Sequence, residues 1–325
     1  MKTPTHFSTI TSPSDFKKVA LETFHFQYQY VDVYRKFCQL LNVNPKDVSA
    51  IKDIPFLPIQ FFKSEIVIAA PVSAQKTFTS SGTTGSVTSQ HQVADLTYYE
   101  TSFLKTFEQF YGSPNHYTFL ALLPSYLERD DSSLIYMVAK LIANSNNPDS
   151  GFYLNNLGAL SEKLKKLEAK GKKTILLGVS YALLDLIEKE QFQLKHTIIM
   201  ETGGMKGRRK EMVKPELHDL LKKGFGVSEI HSEYGMTELL SQAYSKGKGL
   251  YQCPPWMKVF TRDTEDALTY VTGKTGGLNI IDLANTYSCA FIATQDLGKL
   301  HPDQTFEVMG RFDNSDIRGC NLMVL

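Results

Sequence analysis

A run of hydroxyl and glycine residues at 79–86, TSSGTTGS, has the clearest chemical content in the sequence. Glycines let a backbone approach a ligand closely, and hydroxyls and backbone N–H groups donate hydrogen bonds to phosphate oxygens. The run is not a Walker A loop, because Val87 stands at the fifth position after Gly82, where the GxxxxGK pattern requires the glycine that precedes its lysine. It predicts a phosphate-binding loop, and a flexible Ser/Thr/Gly linker is the alternative. The predicted phosphate ligands are Thr79, Ser80, Ser81, Gly82, Thr83, Thr84 and Gly85.

A second polar cluster lies at residues 232–238, SEYGMTE. Mg²⁺ prefers hard carboxylate oxygens beside substrate phosphates, and Glu238 supplies such a group. The ring of Tyr234 offers an aromatic face that can support a purine. The alternative is a capped turn with a buried tyrosine that leads into a helix.

Three further segments follow the order that a nucleotide site requires. Residues 201–205, ETGGM, form a glycine-rich turn after a predicted strand. Residues 294–298, TQDLG, place Asp296 where one carboxylate can accept hydrogen bonds from two hydroxyls. Residues 310–314, GRFDN, supply an arginine. Single surface Asp and Arg residues are usually only solvated, so the order and spacing of these segments carry the prediction.

Taken together, TSSGTTG, ETGGM, YGMTE, TQDLG and GRFDN resemble the signature motifs of the adenylate-forming superfamily, which contains acyl-CoA synthetases, adenylation domains and luciferases. The resemblance implies ATP and Mg²⁺ as cofactors, with the triphosphate held by the run at 79–85. It implies that Gly203 and Gly204 line the nucleotide pocket. The remaining implied contacts are Tyr234 and Gly235 at the adenine, Thr237 at a phosphate, Asp296 at the ribose, Arg311 at the ribose or a phosphate, and Glu238 at Mg²⁺.

Within that superfamily, the segments IPFLPIQFFK, TSSGTTG, ETGGMKG, YGMTELLSQ and DIRGCNL resemble the LuxE-type acyl-protein synthetases over nearly the whole chain. The resemblance implies that a fatty acid and ATP give acyl-AMP, and that the acyl group then moves to a cysteine near the C terminus and on to a reductase partner. Cys320 is the cysteine at that place, and Arg318 is positioned to lower the pKa of its thiol. A small buried hydrophobic side chain is the alternative role for Cys320.

Most members of the superfamily continue past the GRxDD motif with a lid domain that carries a lysine for adenylation. This sequence ends shortly after Arg311, so we expect the lid to be absent. Lys206, Arg208 or Arg209 then becomes the candidate for the missing cation, with Lys206 preferred as a catalytic residue. Two alternatives stay open: transfer of the acyl group to CoA or a carrier protein, and a nucleotide-binding subunit without turnover.

Composition excludes several other classes of function. The 35 basic and 34 acidic residues give a net charge of +1, which offers no bulk field for nucleic acid or an anionic membrane. No apolar run approaches the roughly 20 residues needed to cross a bilayer, and the first residues do not resemble a secretory signal. The four cysteines are scattered without zinc-ligand spacing. We therefore expect a cytoplasmic protein with neither a zinc site nor a disulfide framework.

The pattern of apolar residues predicts an α/β protein: a large adenylate-forming domain of layered sheets and helices over 1–325, divisible into a core at 1–250 and a small β-rich subdomain at 251–325. Helical spacing predicts one or two helices over 14–41, and two prolines exclude a regular helix over 53–63. Strands are predicted at 66–70, 117–123, 174–177 and 197–200. Further helices are predicted at 96–110, 132–143, 160–169, 181–190 and 206–222.

Overall fold

The computed structural model describes residues 2–81, 87–124, 129–204, 209–210 and 212–312. Two helices open the chain, and α-helices and β-strands alternate after them. The helices are α1 (Pro13–Tyr30), α2 (Asp32–Leu40), α3 (Phe61–Ser64), α4 (Leu96–Tyr111), α5 (Ser133–Ser145), α6 (Leu157–Ala169), α7 (Ser180–Lys189) and α8 (Lys214–Phe225). Short 3₁₀ turns lie at Phe7–Thr9, Ile51–Asp53 and Pro114–His116.

The strands form two six-stranded sheets and a separate hairpin within the described residues. The strands are β1 (Leu57–Pro58), β2 (Lys76–Thr79), β3 (Gln90–Val93), β4 (Thr118–Leu122), β5 (Gly151–Phe152), β6 (Thr174–Val179), β7 (Thr197–Thr202), β8 (His231–Tyr234), β9 (Ala243–Ser245), β10 (Met257–Arg262), β11 (Tyr270–Val271), β12 (Thr275–Asp282), β13 (Phe291–Leu300) and β14 (Phe306–Arg311).

The first sheet has the order β5-β4-β6-β7-β8-β9 and is parallel except at β9. Every residue of β4 and β6 is buried, as expected for parallel strands with both faces covered. In open sheets of this kind, ligands bind beyond the carboxyl ends of the strands. The carboxyl ends of β7 and β8 lead directly into the glycine-rich turn and the YGMTE segment, so the fold places both at one edge of the sheet.

The second sheet has the order β1-β13-β12-β10-β11, with β14 also paired to β13. It contains the strands predicted for the β-rich part of the chain, but β1 from the N-terminal part joins it in parallel with β13. Subdivision of the chain at residue 250 therefore stays a prediction. The alternation of sheets and helices confirms the layered α/β fold class.

The N-terminal helices pack against the second sheet. Ser12 caps α1 through a capping box with Asp15, which fixes the start of the helix. Tyr34 of α2 is fully buried and stacks on Phe291 of β13, with ring centroids 6.0 Å apart. Within the described residues, no helix is both long enough and apolar enough to cross a membrane.

Two predicted elements are wrong. Residues 66–70 do not form a strand, because the Ala69 N–H donates to Tyr287 and the Ala70 N–H donates to Tyr30, so no single partner strand is available. The helix predicted from residue 206 begins at Lys214. A proline in its first turn favours that start, since the missing N–H has no helical partner there.

Candidate nucleotide and metal site

The β2–β3 hairpin carries the predicted phosphate loop. The Thr79 hydroxyl donates to the Asp131 carboxylate, and the Thr79 N–H donates to the Asp131 carbonyl at 2.8 Å. Ser80 pairs with Ser89 across the hairpin through its N–H at 3.0 Å and its hydroxyl at 2.9 Å. Thr79 and Ser80 therefore anchor the base of the loop, and exposed Ser81 follows them. The predicted ligands that lie outside the described residues are Gly82, Thr83, Thr84 and Gly85.

The glycine-rich turn follows β7 directly. Gly203 has φ of 66°, a left-handed conformation that favours glycine, and its carbonyl accepts the Ser180 hydroxyl at 2.9 Å. Gly204 is exposed beside it. The three cations that we considered as replacements for the lid lysine come next in the sequence. Lys206 and Arg208 lie outside the described residues, whereas Arg209 donates to Asp185 and Glu188 on α7.

Tyr234 and Asp296 join the two sheets. The Tyr234 hydroxyl, at the end of β8, donates to Asp296 Oδ2 of β13 at 2.7 Å. Arg311 of β14 is the register partner of Asp296, and its Nε lies 3.5 Å from Asp296 Oδ1. Burial raises the pKa of the Asp296 carboxyl, against the hydrogen bond from Tyr234 and the charge of Arg311. A Cβ at Gly235 would lie 2.6 Å from Glu233 Oε1, so a larger residue there would have to displace the Glu233 side chain.

Glu238 lies between the hairpin and the Asp296–Arg311 pair. Its side chain is 5% exposed and accepts a hydrogen bond from the Ser89 side chain. Burial raises the pKa of Glu238, the charge of Arg311 opposes the rise, and the charge of Asp296 adds to it. These interactions bring the base of the phosphate loop, the Glu238 carboxylate and the Asp296 carboxylate together in one region. The sequence motifs, far apart along the chain, converge in the fold.

The arrangement fits a magnesium nucleotide. No group of three or more His, Cys, Asp or Glu side chains gathers for a metal in the part of the chain that the structure describes. Mg²⁺ bound beside substrate phosphates commonly takes only one or two protein carboxylates. Glu238 is a buried carboxylate that makes no direct ion pair within the described residues. Burial disfavours the ionised form of this carboxyl, so a cation at this position would stabilise that form.

Sequence reasoning missed the residues that hold the Thr237–Glu238 turn. The His91 Nδ1–H donates to the Thr237 carbonyl at 2.8 Å, and Asn285 Nδ2 donates to the Glu238 carbonyl at 2.7 Å. Asp282 accepts from the N–H groups of the residues that follow, 240 and 241. Single polar residues at the ends of strands give no local signal for such contacts. We refer to His91, Asn285 and Asp282 as the turn-holding set.

A buried ionic group beside the turn was also missed, and we refer to Glu201, Lys214, His218 and Tyr251 as the Glu201 cluster. Lys214 Nζ donates to Glu201 and, at 2.8 Å, to the Tyr251 hydroxyl, and His218 Nε2 lies 3.4 Å from Glu201. Burial alone would raise the pKa of Glu201. The charge of Lys214 and hydrogen bonds from Lys214, His218 and Ser232 instead lower it to about 2. The Tyr251 ring contacts Tyr234, with centroids 5.8 Å apart, so the cluster supports the predicted adenine site.

Comparisons with solved structures place the fold. The chain is similar to 2-hydroxyisobutyryl-CoA ligase in an open conformation with 2-HIB-AMP and CoA, at a TM-score of 0.68 and 11% identity, over 94% of this chain and 77% of that one. It is also similar to ATP-bound MatB from Rhodopseudomonas palustris, at a TM-score of 0.54 and 17% identity, over 72% of this chain and 47% of that one. These likenesses confirm the adenylate-forming fold.

Sequence comparisons give the family. Two relatives are long-chain-fatty-acid–luciferin-component ligases. The Vibrio harveyi protein is 22% identical over 99% of this chain and 90% of its own length, and the Aliivibrio fischeri protein is 22% identical over 94% and 86%. The family described as acyl-protein synthetase, LuxE, matches residues 2–104 and 132–325. The predicted enzyme class, an acyl-protein ligase that activates its acid with ATP, is confirmed. The chain belongs to the LuxE family of acyl-protein synthetases.

Proposed function

We propose that this enzyme activates a long-chain fatty acid with MgATP and passes the acyl group through its own Cys320 to a partner protein. The observation that carries the proposal is the convergence of the phosphate-loop base, Glu238 and Asp296 in one region. In the first step, a carboxylate oxygen of the acid attacks the α-phosphorus of ATP, and the bond to pyrophosphate breaks. In the second, the thiolate sulfur attacks the acyl carbon, and AMP leaves.

Each residue of the proposed site has a role that suits its chemistry. Thr79 and Ser80 anchor the base of the loop, and hydroxyl and N–H groups of residues 81–85 hold the polyphosphate. Glu238 would hold Mg²⁺, which neutralises charge on the phosphate oxygens. Asp296 accepts hydrogen bonds from the ribose hydroxyls, and Tyr234 orients the Asp296 carboxylate. The Tyr234 ring faces the adenine, beside the turn at Gly203 and Gly204. Thr237 and Arg311 donate to phosphate or ribose oxygens, and Lys206 supplies positive charge to the transition state.

The cysteines within the described residues support Cys320 as the acyl acceptor. Burial raises the pKa of Cys38 to about 12 and raises the pKa values of Cys253 and Cys289 as well. A thiol must ionise to attack a mixed anhydride, so these three are poor nucleophiles at neutral pH. Cys320 lies outside the described residues and stays the candidate that the family resemblance indicates.

Exchange of labelled pyrophosphate into ATP tests the adenylation step. We expect exchange that requires both a long-chain fatty acid and Mg²⁺, and a loss of about 100-fold or more in Glu238→Gln and Asp296→Asn. Lys248 is exposed and lies outside the proposed site, so Lys248→Ala is the control and should keep the exchange. Absence of acid-dependent exchange in the wild-type enzyme would contradict the adenylation step.

Intact-protein mass spectrometry tests the acyl transfer. After incubation with ATP and fatty acid, we expect an acyl adduct that hydroxylamine removes and that maps to Cys320. Cys320→Ala should keep pyrophosphate exchange and lose the adduct, and Cys253→Ala is the matched control that keeps both. An adduct on another residue would show that Cys320 is not the acceptor, and acyl-CoA formation without an adduct would favour a CoA ligase.

We propose a fatty-acid reductase or an acyl-carrier protein as the final partner, in the cytoplasm where ATP is available. The support is that both relatives are named as ligases for a luciferin component. Transfer of labelled acyl groups from the purified acyl-enzyme to a candidate reductase provides the test. Retention of the label on the enzyme with every candidate would contradict the partner proposal.

A further inference from the structure

We propose that His91 and Asn285 are positioning residues for the metal site: they fix the Thr237–Glu238 turn and thereby direct the Glu238 carboxylate toward the nucleotide. The inference rests on the proposed role of Glu238 as a Mg²⁺ ligand. His91 and Asn285 are buried and lie in none of the signature motifs. They contact the turn from outside the first sheet, whose strand β8 leads into it.

The turn is irregular and depends on side chains for its backbone hydrogen bonds. Residues 235–242 adopt neither helix nor strand. Buried backbone carbonyls need partners, and here those of Thr237 and Glu238 accept from His91 and Asn285 at 2.8 and 2.7 Å. The two bonds hold consecutive carbonyls, so together they restrict the rotation of the peptide planes on both sides of the Glu238 Cα. The direction of the Glu238 side chain depends on that restriction.

Asp282 holds the other end of the same turn. Its carboxylate accepts from the N–H groups of Leu240 at 2.7 Å and Ser241 at 2.9 Å, and also from the Ser241 hydroxyl. The Ala284 N–H adds a further bond at 3.1 Å. Asp282 ends β12 and Asn285 lies three residues later, so one short segment holds the turn at Glu238 and again at Leu240 and Ser241.

The holding residues are themselves fixed. Gln27 of α1 is fully buried and donates through Nε2 to the carbonyls of Asn285 at 2.7 Å and Thr286 at 3.0 Å, while its Oε1 accepts from the Ala290 N–H at 3.0 Å. The His91 ring packs edge-on against Phe62, with centroids 5.6 Å apart. Both His91 and Asn285 are 0% exposed. The turn is thus tied to α1 and to the β2–β3 hairpin through fully buried side chains.

His91 also connects the turn to the phosphate loop, because it lies on β3 two residues after Ser89. Ser89 pairs with Ser80 and bonds the Glu238 side chain, whereas His91 bonds the backbone one residue before it. β3 and the residue just before it therefore contact the backbone that carries Glu238 and the Glu238 carboxylate. Partners of this kind, which orient a metal ligand without touching the metal, change metal affinity or activity by about 10–100-fold when they are removed.

Metal binding, measured apart from turnover, tests the inference. Mn²⁺ would be titrated against the enzyme with α,β-methylene-ATP and followed by electron paramagnetic resonance. We expect His91→Ala and Asn285→Ala to weaken Mn²⁺ affinity in the nucleotide complex by about tenfold or more, with little change in nucleotide affinity without metal. His91→Asn should recover most of the loss, because its amide N–H can occupy the place of the Nδ1–H.

Leu164→Ala, in α6, is the matched control for lost stability, since it removes a fully buried side chain far from the turn in the sequence. Its melting temperature should fall while its Mn²⁺ affinity stays at the wild-type value. If folded His91→Ala or Asn285→Ala also keeps that affinity, the positioning role is wrong. If the wild-type enzyme binds nucleotide but no Mn²⁺ with it, the assignment of Glu238 as a metal ligand fails instead.

Discussion

The Glu201 cluster and two members of the turn-holding set, His91 and Asn285, are largely buried beside the candidate site. The cluster makes its contacts with charged groups, whereas His91 and Asn285 make theirs with neutral groups. In the first, Glu201 and Lys214 form an ion pair, and each charge depends on the other because burial opposes both. In the second, His91 is neutral, since burial lowers its pKa to about 4, and it and Asn285 hold backbone carbonyls through neutral N–H groups.

This difference in charge determines how much stability the protein loses when one partner of a contact is replaced. A buried ion pair is costly to break, because removal of one partner leaves an uncompensated charge. A neutral hydrogen bond to a carbonyl costs less to lose, so its removal affects the geometry of the turn more than the stability of the fold. The charged cluster thus stabilises the fold beside Tyr234, while His91 and Asn285 hold the turn that carries Glu238.

The largest expected effect comes from Lys214→Met. It leaves Glu201 charged and buried, so we expect the free energy of unfolding to fall by about 3–5 kcal/mol in urea denaturation. The double variant Lys214→Met with Glu201→Gln removes both charges and should recover much of that loss. Equal stability of the single and double variants would show that the Lys214 charge does not compensate the buried charge of Glu201.

The dependence of stability on pH comes next. The pKa of Glu201 falls from 4.5 to about 2 in the folded state, so its contribution is present above pH 4.5 and is lost as the pH falls toward 2. The corresponding free energy is on the order of 3 kcal/mol. Urea denaturation at a series of pH values measures it, and Glu201→Gln should flatten that part of the profile.

Glu233 should make the free energy of unfolding depend on pH in the opposite direction. Burial raises its pKa to about 7, against a hydrogen bond from Thr202, so its contribution is present below pH 4.5 and is lost as the pH rises through 7. Glu233→Gln should therefore remove a decline of similar size between pH 4.5 and 7. A variant with an unchanged slope in that window would contradict the raised pKa.

A smaller effect is expected for Tyr234→Phe, which removes the hydrogen bond to Asp296 and keeps the ring contacts with Tyr251 and Phe306. Loss of one hydrogen bond to a carboxylate corresponds to about 1.5 kcal/mol. We expect weaker ATP binding by calorimetry, about tenfold, with a nearly unchanged melting temperature. Unchanged affinity would show that Tyr234 does not orient Asp296 for the nucleotide.

The smallest effect is expected for Arg209→Ala. Its guanidinium donates to Asp185, whose side chain is partly exposed, and to Glu188, which is exposed, so we expect a stability change of no more than about 1 kcal/mol. Because that guanidinium already binds two carboxylates on α7, pyrophosphate exchange should stay within about twofold of wild type. A large loss of exchange would make Arg209, rather than Lys206, the replacement for the lid lysine.

Local sequence predicted the elements whose signals are local. Helix α4 follows from its apolar spacing and strand β6 from its continuous apolar run. The start of α8 was wrong because the periodic pattern extends upstream of Lys214, whereas the proline after it fixes the first turn. The strand predicted at 66–70 was wrong because the β-like composition found no partner strand.

The sequence by itself determined which residues are proposed to carry the chemistry, since the hydroxyl-rich run, Glu238 and Asp296 stand in short motifs whose residue types suit phosphate, metal and sugar. Only the tertiary structure decided how they are held. His91, Asn285 and Gln27 lie 146, 47 and 258 positions or so from the groups they bond, and their own neighbours in the chain give no sign of it. Hydrogen bonds between buried groups form wherever folding brings donor and acceptor together, so sequence spacing does not reveal them.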